Sequence, residues 1–186
     1  MLQHLPNALT LSRLLLAGPL GYFILRENYH WALGVGLLAG LTDALDGLLA
    51  RRLGALSRLG AALDPIADKV LITVAFICFA STGLVPWYLA LVVIGRDLVI
   101  VLGAACYHWL IGAFEFSASR LSKANMFIQI SFCALVLAAQ VVTSIPPLAI
   151  TVASTAVLFI AGASGCDYVL KWSIKAVQQR REHKGK

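Results

Sequence analysis

The stretch LTDALDGLLARRLGALSRLGAALDPIADKV, residues 41–70, holds four aspartates within a strongly apolar chain. Of the 186 residues, 60% are hydrophobic and 13% are charged, and the mean hydropathy is +0.84. Carboxylates are costly in membrane-type sequence, and those that occur there are functional by default. The reason for keeping these four aspartates therefore bears on both the fold and the function of the chain.

The composition predicts an integral membrane protein. A soluble domain carries about a quarter charged residues, and apolar runs of roughly 18 or more residues are typical of membrane helices. Backbone groups in lipid must satisfy one another, which favours helices here. We predict an all-α bundle of six transmembrane helices, a single domain over residues 1–186. The predicted spans are roughly 9–25, 31–50, 62–82, 86–110, 124–143 and 147–170, preceded by an interfacial segment, LPNALTLSR.

Basic residues are distributed unevenly between the predicted loops. They concentrate after spans two and four and in the C-terminal tail from about residue 171, whereas the opposite loops carry Arg26 alone. The positive-inside rule then places both termini and the aspartate-rich stretch in the cytoplasm. We expect the tail to lie on anionic membrane lipids, and we expect no nucleic-acid partner. A bacterial inner membrane is the expected location, although an organelle's inner membrane would give a similar sequence.

The aspartates form two pairs with helical spacing. Asp43 and Asp46 are three residues apart near the end of span two, and Asp64 and Asp68 are four apart near the start of span three. Each spacing puts both side chains on one helix face. Consecutive helices joined by a short segment pack antiparallel, so we expect the two pairs to meet at the membrane–cytoplasm boundary. The sequence therefore predicts a cluster of four carboxylates.

Four neighbouring carboxylates do not all stay ionised without cations. Either some are protonated, as in a proton relay, or divalent cations lie between them. With no His or Cys nearby, all-oxygen ligands favour Mg²⁺, Mn²⁺ or Ca²⁺, and two such ions about 4 Å apart would suit an in-line displacement at phosphorus. Gly47 leaves room for a ligand to approach closely, and Arg51 supplies a charge suited to phosphate. The four cysteines are scattered singly and indicate neither a disulfide nor a thiolate site.

The pattern Asp43-x2-Asp46-Gly47-x2-Ala50-Arg51-x8-Gly60-x3-Asp64-x3-Asp68 resembles the signature of the CDP-alcohol phosphatidyltransferases at every position. The opening LPNALTLSR, the six-helix plan and the GRD of span four are also similar. Within the family the chain resembles the glycerol-type branch, which includes phosphatidylglycerophosphate synthases and CMP-forming cardiolipin synthases. The family is typically homodimeric, and the resemblance implies a homodimer here.

The resemblance implies an enzyme in which an alcohol hydroxyl attacks the lipid-side phosphorus of CDP-diacylglycerol and CMP leaves. It implies that Asp43, Asp46, Asp64 and Asp68 bind two Mg²⁺ or Mn²⁺ ions per active site, with Asp68 also the general base. By motif position, the residues implied to contact the CDP-lipid are Pro6, Asn7, Ala8, Leu9, Gly47, Arg51 and Ser57.

The acceptor or a lipid head group is expected to contact Arg13, Arg120, Lys123 and Asn125. For Arg13 the alternative is snorkelling to head groups, and for Asn125 it is a packing amide. Phosphatidylglycerophosphate synthases usually carry Gly-Lys-x-Lys-Thr, whereas Ser122-Lys123-x-Asn125 is similar to the pattern in cardiolipin synthases. We therefore favour phosphatidylglycerol over glycerol 3-phosphate as the acceptor.

Other ionisable residues in the predicted spans leave alternatives open. Arg96 and Asp97 either pair with each other or a neighbour as a structural device or contact a substrate, and Asp167 has no assigned role. A remote alternative to the enzyme is a proton or ion transporter. Against it, the aspartates cluster at one boundary instead of forming a chain across the membrane.

Overall fold

The computed structural model describes the backbone of residues 5–53, 58–111 and 120–184 and the side chains of residues 12–42, 69–103 and 121–168. Within these ranges the chain is all-helical and contains no strand. Six helices follow one another: α1 (Leu5–Leu25), α2 (Tyr29–Leu53), α3 (Arg58–Ser81), α4 (Trp87–Ile111), α5 (Arg120–Val141) and α6 (Pro147–Lys184). Their number and order agree with the six predicted helices.

Two helix ends extend beyond the predicted spans. Helix α1 begins at Leu5, so the predicted interfacial segment is the first part of the same helix. Pro6 is its second residue, where a missing N–H costs no intrahelical hydrogen bond. Helix α6 continues through the basic tail to Lys184. No Gly or Pro lies between residues 166 and 184, so nothing in the tail stops the helix.

Short turns closed by backbone hydrogen bonds connect the helices at one end of the bundle. At the end of α1 the N–H of Asn28 donates to the carbonyl oxygen of Phe23 over 2.9 Å, and Glu27 takes the left-handed conformation with φ 58°. The end of α3 closes in the same way around Gly83, which has φ 75°. Both are helix caps that require a left-handed residue, which glycine adopts without strain and which costs about 1–2 kcal/mol at Glu27.

Helix α1 packs on both α2 and α3, and its approach to α3 is close. A Cβ placed on Gly21 would lie 2.9 Å from Val74 Cγ1 and 3.3 Å from Cys78 Sγ, so the missing side chain lets the two helices approach. Farther across the bundle, Phe76 of α3 stacks on Phe132 of α5 with ring centroids 5.7 Å apart. The apolar core that surrounds these contacts includes Leu20, Ile24, Phe79, Leu89, Val93, Val136 and Val157.

The outward-facing side chains of the bundle are also apolar. Large exposed apolar residues occur on all six helices, among them Leu15, Trp31, Ile77, Leu91, Phe127 and Phe159. Two stretches in the described part of the chain, Leu121–Val141 and Pro147–Tyr168, are long and apolar enough to cross a membrane. Soluble proteins seldom expose so much apolar surface. The outer surface therefore indicates a protein associated with a membrane.

An apolar cavity of about 380 Å³ separates α2 from α3. In the described residues these two helices do not pack on each other, and each packs on α1 and α5 instead. The direct antiparallel packing that we predicted for α2 and α3 is therefore wrong for this part of the chain. A short connection restrains only the helix ends, and the small face of α1 around Gly21 packs on α3 along its length. We call the cavity the groove.

Candidate active site

The four aspartates lie on the two helices that flank the groove. Asp43 and Asp46 belong to α2, and Asp64 and Asp68 belong to α3, while their side chains fall outside the described residues. At 1.5 Å of rise per residue, Asp46 and Asp64 lie about 10 Å from the facing ends of their helices, and Asp43 and Asp68 lie about 15 Å from them. The two pairs therefore occupy matching positions along α2 and α3.

Helix α1 contributes an arginine at a similar depth. Leu20 Cδ1 lies 3.9 Å from the Cβ position of Gly36, which fixes α1 relative to α2. Arg13 is seven residues before Leu20, and Asp43 is seven residues after Gly36, so in two antiparallel helices both lie at about the same level. On α3, Gly21 of α1 lies against Val74 and Cys78. Counting eight residues back from Gly21 reaches Arg13, and counting eight back from the middle of the Val74–Cys78 stretch reaches Asp68, so Asp68 lies at the same level. Arg13 and the helix positions of both aspartate pairs thus share one layer of the bundle.

Arg13 is a buried charge, only 1% exposed. A side chain that snorkelled to head groups would keep its guanidinium at the surface. The snorkelling alternative is therefore wrong, and Arg13 lies inside the bundle. An interior arginine in membrane-type surroundings costs several kcal/mol unless it meets polar groups, which favours a functional role.

The groove leads to this layer from the apolar end of the bundle. Among the described side chains, its α2 wall extends as far as Leu41, two residues before Asp43, and its α3 wall extends as far as Leu71, three residues after Asp68. Apart from Arg13, the described residues that line it are apolar or glycine. The groove thus joins an apolar space to the layer that carries the aspartates.

A polar cluster centred on Arg96 connects four helices. Arg96 Nη1 donates to Asp97 Oδ1 over 2.5 Å, and its Nη2 donates to Ser164 Oγ over 2.6 Å and to Ser122 Oγ over 3.1 Å. Lys69 Nζ lies 3.8 Å from Asp97 Oδ1. Of the alternatives left open for Arg96 and Asp97, the structure shows the pairing with each other and with neighbours, and the neighbours are Ser122, Ser164 and Lys69. The cluster links α3, α4, α5 and α6 in the half of the bundle that carries the aspartates.

Sequence reasoning missed Lys69, which follows Asp68 directly. Its signal was present, because a lysine within an apolar span needs a partner as much as an aspartate does. The ring of Tyr168 lies 6.0 Å from Arg96 Cζ, within the range of a cation–π contact. Asp167, next to Tyr168 on α6, is half-buried and keeps no assigned role. Lys69 holds α3 to the Arg96 cluster one residue from the predicted base.

One face of α5 carries two buried amides. Asn125 is 0% exposed and Gln129 is 2% exposed. Among the residues described, Asn125 Nδ2, Asn125 Oδ1 and Gln129 Nε2 have no hydrogen-bond partner. Each such group costs about 1–3 kcal/mol, so a packing amide does not explain Asn125. Gln129 was missed because a lone glutamine in an apolar helix forms no motif.

The other predicted contacts divide into two groups. Lys123 is exposed near the start of α5, in contrast to the buried Arg13 and Asn125. The remaining candidates lie outside the residues whose side chains are described: Pro6, Asn7, Ala8, Leu9, Gly47, Arg51, Ser57 and Arg120. Of the predicted acceptor contacts, the structure therefore places Arg13 and Asn125 in the interior and Lys123 at the surface.

The described side chains contain no group of three or more His, Cys, Asp or Glu residues that could hold a metal ion. The four aspartates predicted as metal ligands are not among those side chains. Their helix positions nonetheless suit a shared site, because two carboxylate pairs occupy matching depths on helices that flank one groove. Carboxylate oxygens are the donors that Mg²⁺ and Mn²⁺ prefer.

Comparison with known proteins identifies the class of this bundle. A sequence model of the CDP-alcohol phosphatidyltransferases matches residues 3–163. The chain therefore belongs to the CDP-alcohol phosphatidyltransferase family. Family membership favours a phosphatidyl-transferring enzyme over the transporter alternative.

The similar proteins within that family fall under two different enzyme names. The chain is 48% identical over 98 residues to a cardiolipin synthase (CMP-forming) of Rattus norvegicus, which covers 52% of this chain and 32% of the rat protein. It is 32% identical over 185 residues to a cardiolipin synthase (CMP-forming) / mitochondrial hydrolase fusion protein of Schizosaccharomyces pombe, covering 89% of this chain and 30% of the other.

A third relative bears the other name. It is the CDP-diacylglycerol–glycerol-3-phosphate 3-phosphatidyltransferase of Aquifex aeolicus, 39% identical over 104 residues, covering 54% of this chain and 58% of that protein. The match to the rat relative spans about a third of that protein's length. Because the match covers only part of that relative, the names of these proteins give candidate acceptors and do not assign one to this chain.

Proposed function

We propose that this protein transfers a phosphatidyl group from CDP-diacylglycerol to phosphatidylglycerol, giving cardiolipin and CMP. The observation that carries the proposal is the groove between the two aspartate-bearing helices. It offers an apolar space for an acyl chain, and its described lining reaches Arg13, in the layer that carries the aspartate positions. Such a site suits a substrate with a lipid tail and a diphosphate head.

The aspartate pairs would form the metal-dependent part of the site. Asp43, Asp46, Asp64 and Asp68 would hold two Mg²⁺ or Mn²⁺ ions. Bound there, the ions would polarise the diphosphate and neutralise the charge that develops on departing CMP. Their positions at matching depths on α2 and α3 support this assignment. The proposed contacts Gly47, Arg51 and Ser57, with those of the α1 N-terminal segment, would orient the cytidine diphosphate.

The protein side chains would also handle the proton. The acceptor hydroxyl oxygen forms the new bond to the lipid-side phosphorus, the bond from that phosphorus to the CMP oxygen breaks, and the hydroxyl proton passes to the Asp68 carboxylate. Arg13, buried in the same layer, would stabilise negative charge on the phosphates. The apolar groove would hold the diacyl part of the donor in place during the transfer.

The residues at the start of α5 favour phosphatidylglycerol as the acceptor. Ser122, Lys123 and Asn125 offer one exposed cation and one buried amide, which suits the monoanionic phosphodiester and neutral glycerol of phosphatidylglycerol. The rat and fission-yeast relatives named cardiolipin synthase support the same acceptor. The Aquifex relative favours glycerol 3-phosphate as the alternative, giving phosphatidylglycerophosphate.

The proposal is tested by CMP release from purified protein with CDP-diacylglycerol and Mg²⁺. Phosphatidylglycerol and glycerol 3-phosphate are offered in separate reactions, and the lipid products are identified by mass. We expect CMP and a four-chain lipid only with phosphatidylglycerol. Release only with glycerol 3-phosphate would reject the acceptor and retain the donor chemistry. Chelation of the divalent metal should stop release in either case.

The acceptor choice is sharpened by Asn125→Lys. A second lysine would create the charge pair that a phosphate dianion favours. We expect the variant to gain use of glycerol 3-phosphate relative to phosphatidylglycerol in the same assay. Lys123→Asn is the complementary change and should weaken use of both anionic acceptors. An unchanged acceptor ratio in Asn125→Lys would show that selection lies elsewhere.

The acyl assignment of the groove is tested at Gly40. Among the described residues, no atom lies within 4 Å of a Cβ placed there, so Gly40→Leu should be accommodated by the backbone while filling part of the groove. We expect a higher KM for long-chain CDP-diacylglycerol than for a short-chain analogue. Gly162→Leu, on an exposed and equally open position of α6, is the matched control. Equal effects of the two variants would contradict the assignment.

The membrane arrangement is part of the same proposal. All six helices would cross the bilayer, with both termini and the aspartates on the cytoplasmic side of a bacterial inner membrane. The asymmetric distribution of Lys and Arg supports this orientation. Reporter fusions after residue 186 and in the Thr82–Pro86 turn should report opposite sides. A homodimer is proposed from the family resemblance, and crosslinking in membranes would test it.

A further inference from the structure

The two buried amides of α5 have hydrogen-bonding groups that the fold does not use. Asn125 lacks a partner for both Nδ2 and Oδ1, and Gln129 lacks one for Nε2, among the described residues. Neither side chain can turn to solvent, because their exposed fractions are 0% and 2%. A buried polar group without a partner is destabilising, so it persists where a ligand or water completes it.

The two amides lie on the same face of α5 and are held between fixed points. They are four residues apart, one helical turn. On the aspartate side, Ser122 accepts a hydrogen bond from Arg96 over 3.1 Å. On the other side, Phe132 stacks on Phe76. The same stripe of α5 thus passes from the Arg96 cluster, through the two amides, to the apolar core.

The unmet groups match a hydroxyl better than an anion. Two amide nitrogens offer donors, and Asn125 Oδ1 offers an acceptor. A phosphate oxygen only accepts, so it would leave Asn125 Oδ1 unpaired. A hydroxyl both donates and accepts, and neither amide carries a charge that would select an anion. The pair therefore suits a neutral polyol.

The stacked rings of Phe76 and Phe132 show at which level along the bundle the two amides lie. Lys69 of α3 and Ser122 of α5 both contact the Arg96–Asp97 pair, and further along both helices Phe76 stacks on Phe132, so α3 and α5 run in the same direction. Counting seven residues back from each ring reaches Lys69 on α3 and Asn125 on α5, and Asp68 is one residue further. At 1.5 Å of rise per residue, Asn125 and Asp68 lie within about one helical turn of the same level.

We propose that Asn125 and Gln129 together bind the hydroxyls of the acceptor's glycerol head group, with Gln129 as a further specificity-determining residue. This inference rests on the proposed transfer to phosphatidylglycerol. Asn125 would hold the attacking hydroxyl near Asp68, and Gln129, one turn deeper, would hold its neighbour. The pair selects an acceptor whose head is an uncharged diol attached to a phosphodiester.

Gln129→Met tests the pair, because it keeps side-chain length and removes both polar groups. We expect KM for phosphatidylglycerol to rise about three- to tenfold, the loss of one neutral hydrogen bond, with KM for CDP-diacylglycerol within about twofold. The melting temperature of the ligand-free protein should rise, since an unmet buried amide is removed. Gln140→Met, on an exposed position of the same helix, should change neither quantity.

A binding measurement separates this inference from the reaction itself. Thermal stabilisation by phosphatidylglycerol is compared with that by phosphatidylethanol, which has the same phosphodiester charge and no free hydroxyl. Wild-type protein should be stabilised more by phosphatidylglycerol, and Gln129→Met and Asn125→Leu should each lose the difference. A difference in the wild type that both variants lose would support the site even if no cardiolipin formed.

Other outcomes overturn the inference. If wild-type protein makes cardiolipin and Gln129→Met keeps its KM for phosphatidylglycerol, the amides bind water only and the proposed function stands alone. If Gln129→Met lowers the melting temperature and raises both KM values equally, its role is structural. Equal stabilisation of wild-type protein by the two lipids would reject recognition of the diol.

Discussion

The two halves of the bundle are held together by different kinds of contact. In the half that contains the Glu27 and Gly83 turns, which we call the apolar half, Gly21 lets α1 approach Val74 closely and Phe76 stacks on its partner ring. The other half carries the aspartates, and we call it the aspartate half. Here buried charged side chains pair around Arg96, and the side-chain amides of Asn125 and Gln129 have atoms without a hydrogen-bond partner among the described residues. The first half is packed, and the second is polar and incompletely satisfied.

The difference assigns a task to each half. Close packing of apolar side chains makes a rigid frame, because each side chain is confined by its neighbours. Buried polar groups without partners lower stability and are retained where function needs them. We therefore expect variants of the apolar half to change stability and variants of the aspartate half to change activity. The Arg96 cluster lies in the aspartate half, but its guanidinium nitrogens Nη1 and Nη2 both donate hydrogen bonds, so it should behave as part of the frame.

Asp43→Asn should give the largest effect on activity. An amide cannot replace an anionic metal ligand, so CMP release should fall to background while the protein remains inserted and its melting temperature changes little. Activity and detergent melting are measured on the same preparation. Glu27→Gln, the same chemical change in the apolar half, should leave CMP release unaltered. Near-normal turnover by Asp43→Asn would contradict the two-metal assignment.

Arg96→Met should cause the largest loss of stability. It removes the hydrogen bonds to Asp97, Ser122 and Ser164 and, among the described residues, leaves the Asp97 carboxylate with Lys69 as its cationic neighbour, a change that costs about 3–5 kcal/mol. Unfolding in detergent measures the loss. Replacing the pair together, as Arg96→Met with Asp97→Leu, should recover much of it. A single variant as stable as wild type would show that the cluster is no part of the frame.

Gly21→Ala should destabilise the α1–α3 contact by about 1–3 kcal/mol, the range for overpacking. The new methyl group would lie 2.9 Å from Cγ1 of Val74, whose branched side chain has little freedom to move away. Gly18→Ala is the matched control on the same helix, exposed and with open space around its Cβ, and should stabilise by up to about 1 kcal/mol. The two melting temperatures should move in opposite directions, and a shift of both upward would contradict the close approach.

Phe132→Leu should give the smallest effect, about 0.5–1.5 kcal/mol from loss of the aromatic pair with Phe76. Leucine keeps most of the buried apolar surface, so the packing remains. CMP release at saturating substrates should be retained within about twofold. A large loss of activity with little loss of stability would show that the stacked rings contribute to the candidate active site in the aspartate half.

The helices were predictable from the sequence because lipid imposes a simple rule on the backbone. Breaks at Asn28, Gly83 and Pro146 follow from local chemistry and are found where the sequence placed them. The separation of α2 from α3 was not predictable, since the length of a connection limits only the distance between helix ends. Over the described residues it accompanies the close packing of α1 on α3 at Gly21, a long-range contact that no local pattern encodes.

The candidate site was predictable where its residues form a motif. The aspartate spacing identified the family, and the burial of Arg13 and Asn125 agrees with interior roles. Lys69 and Gln129 were missed because neither belongs to a repeated spacing. Their meaning comes from what surrounds them: a carboxylate on another helix for Lys69, and the lack of any partner for the Gln129 amide nitrogen.

The side opening of the groove has a consequence for the kinetics that we expect of the proposed reaction. Leu37, Leu41 and Ile130 on its lining are exposed, so the groove opens sideways. In a bilayer a lipid would enter from the side by two-dimensional diffusion, without leaving the membrane. The reaction rate would then follow the mole fraction of substrate in the bilayer. Adding inert lipid to the vesicles would slow the reaction, whereas changing the water volume around the same vesicles would leave the rate per enzyme unchanged.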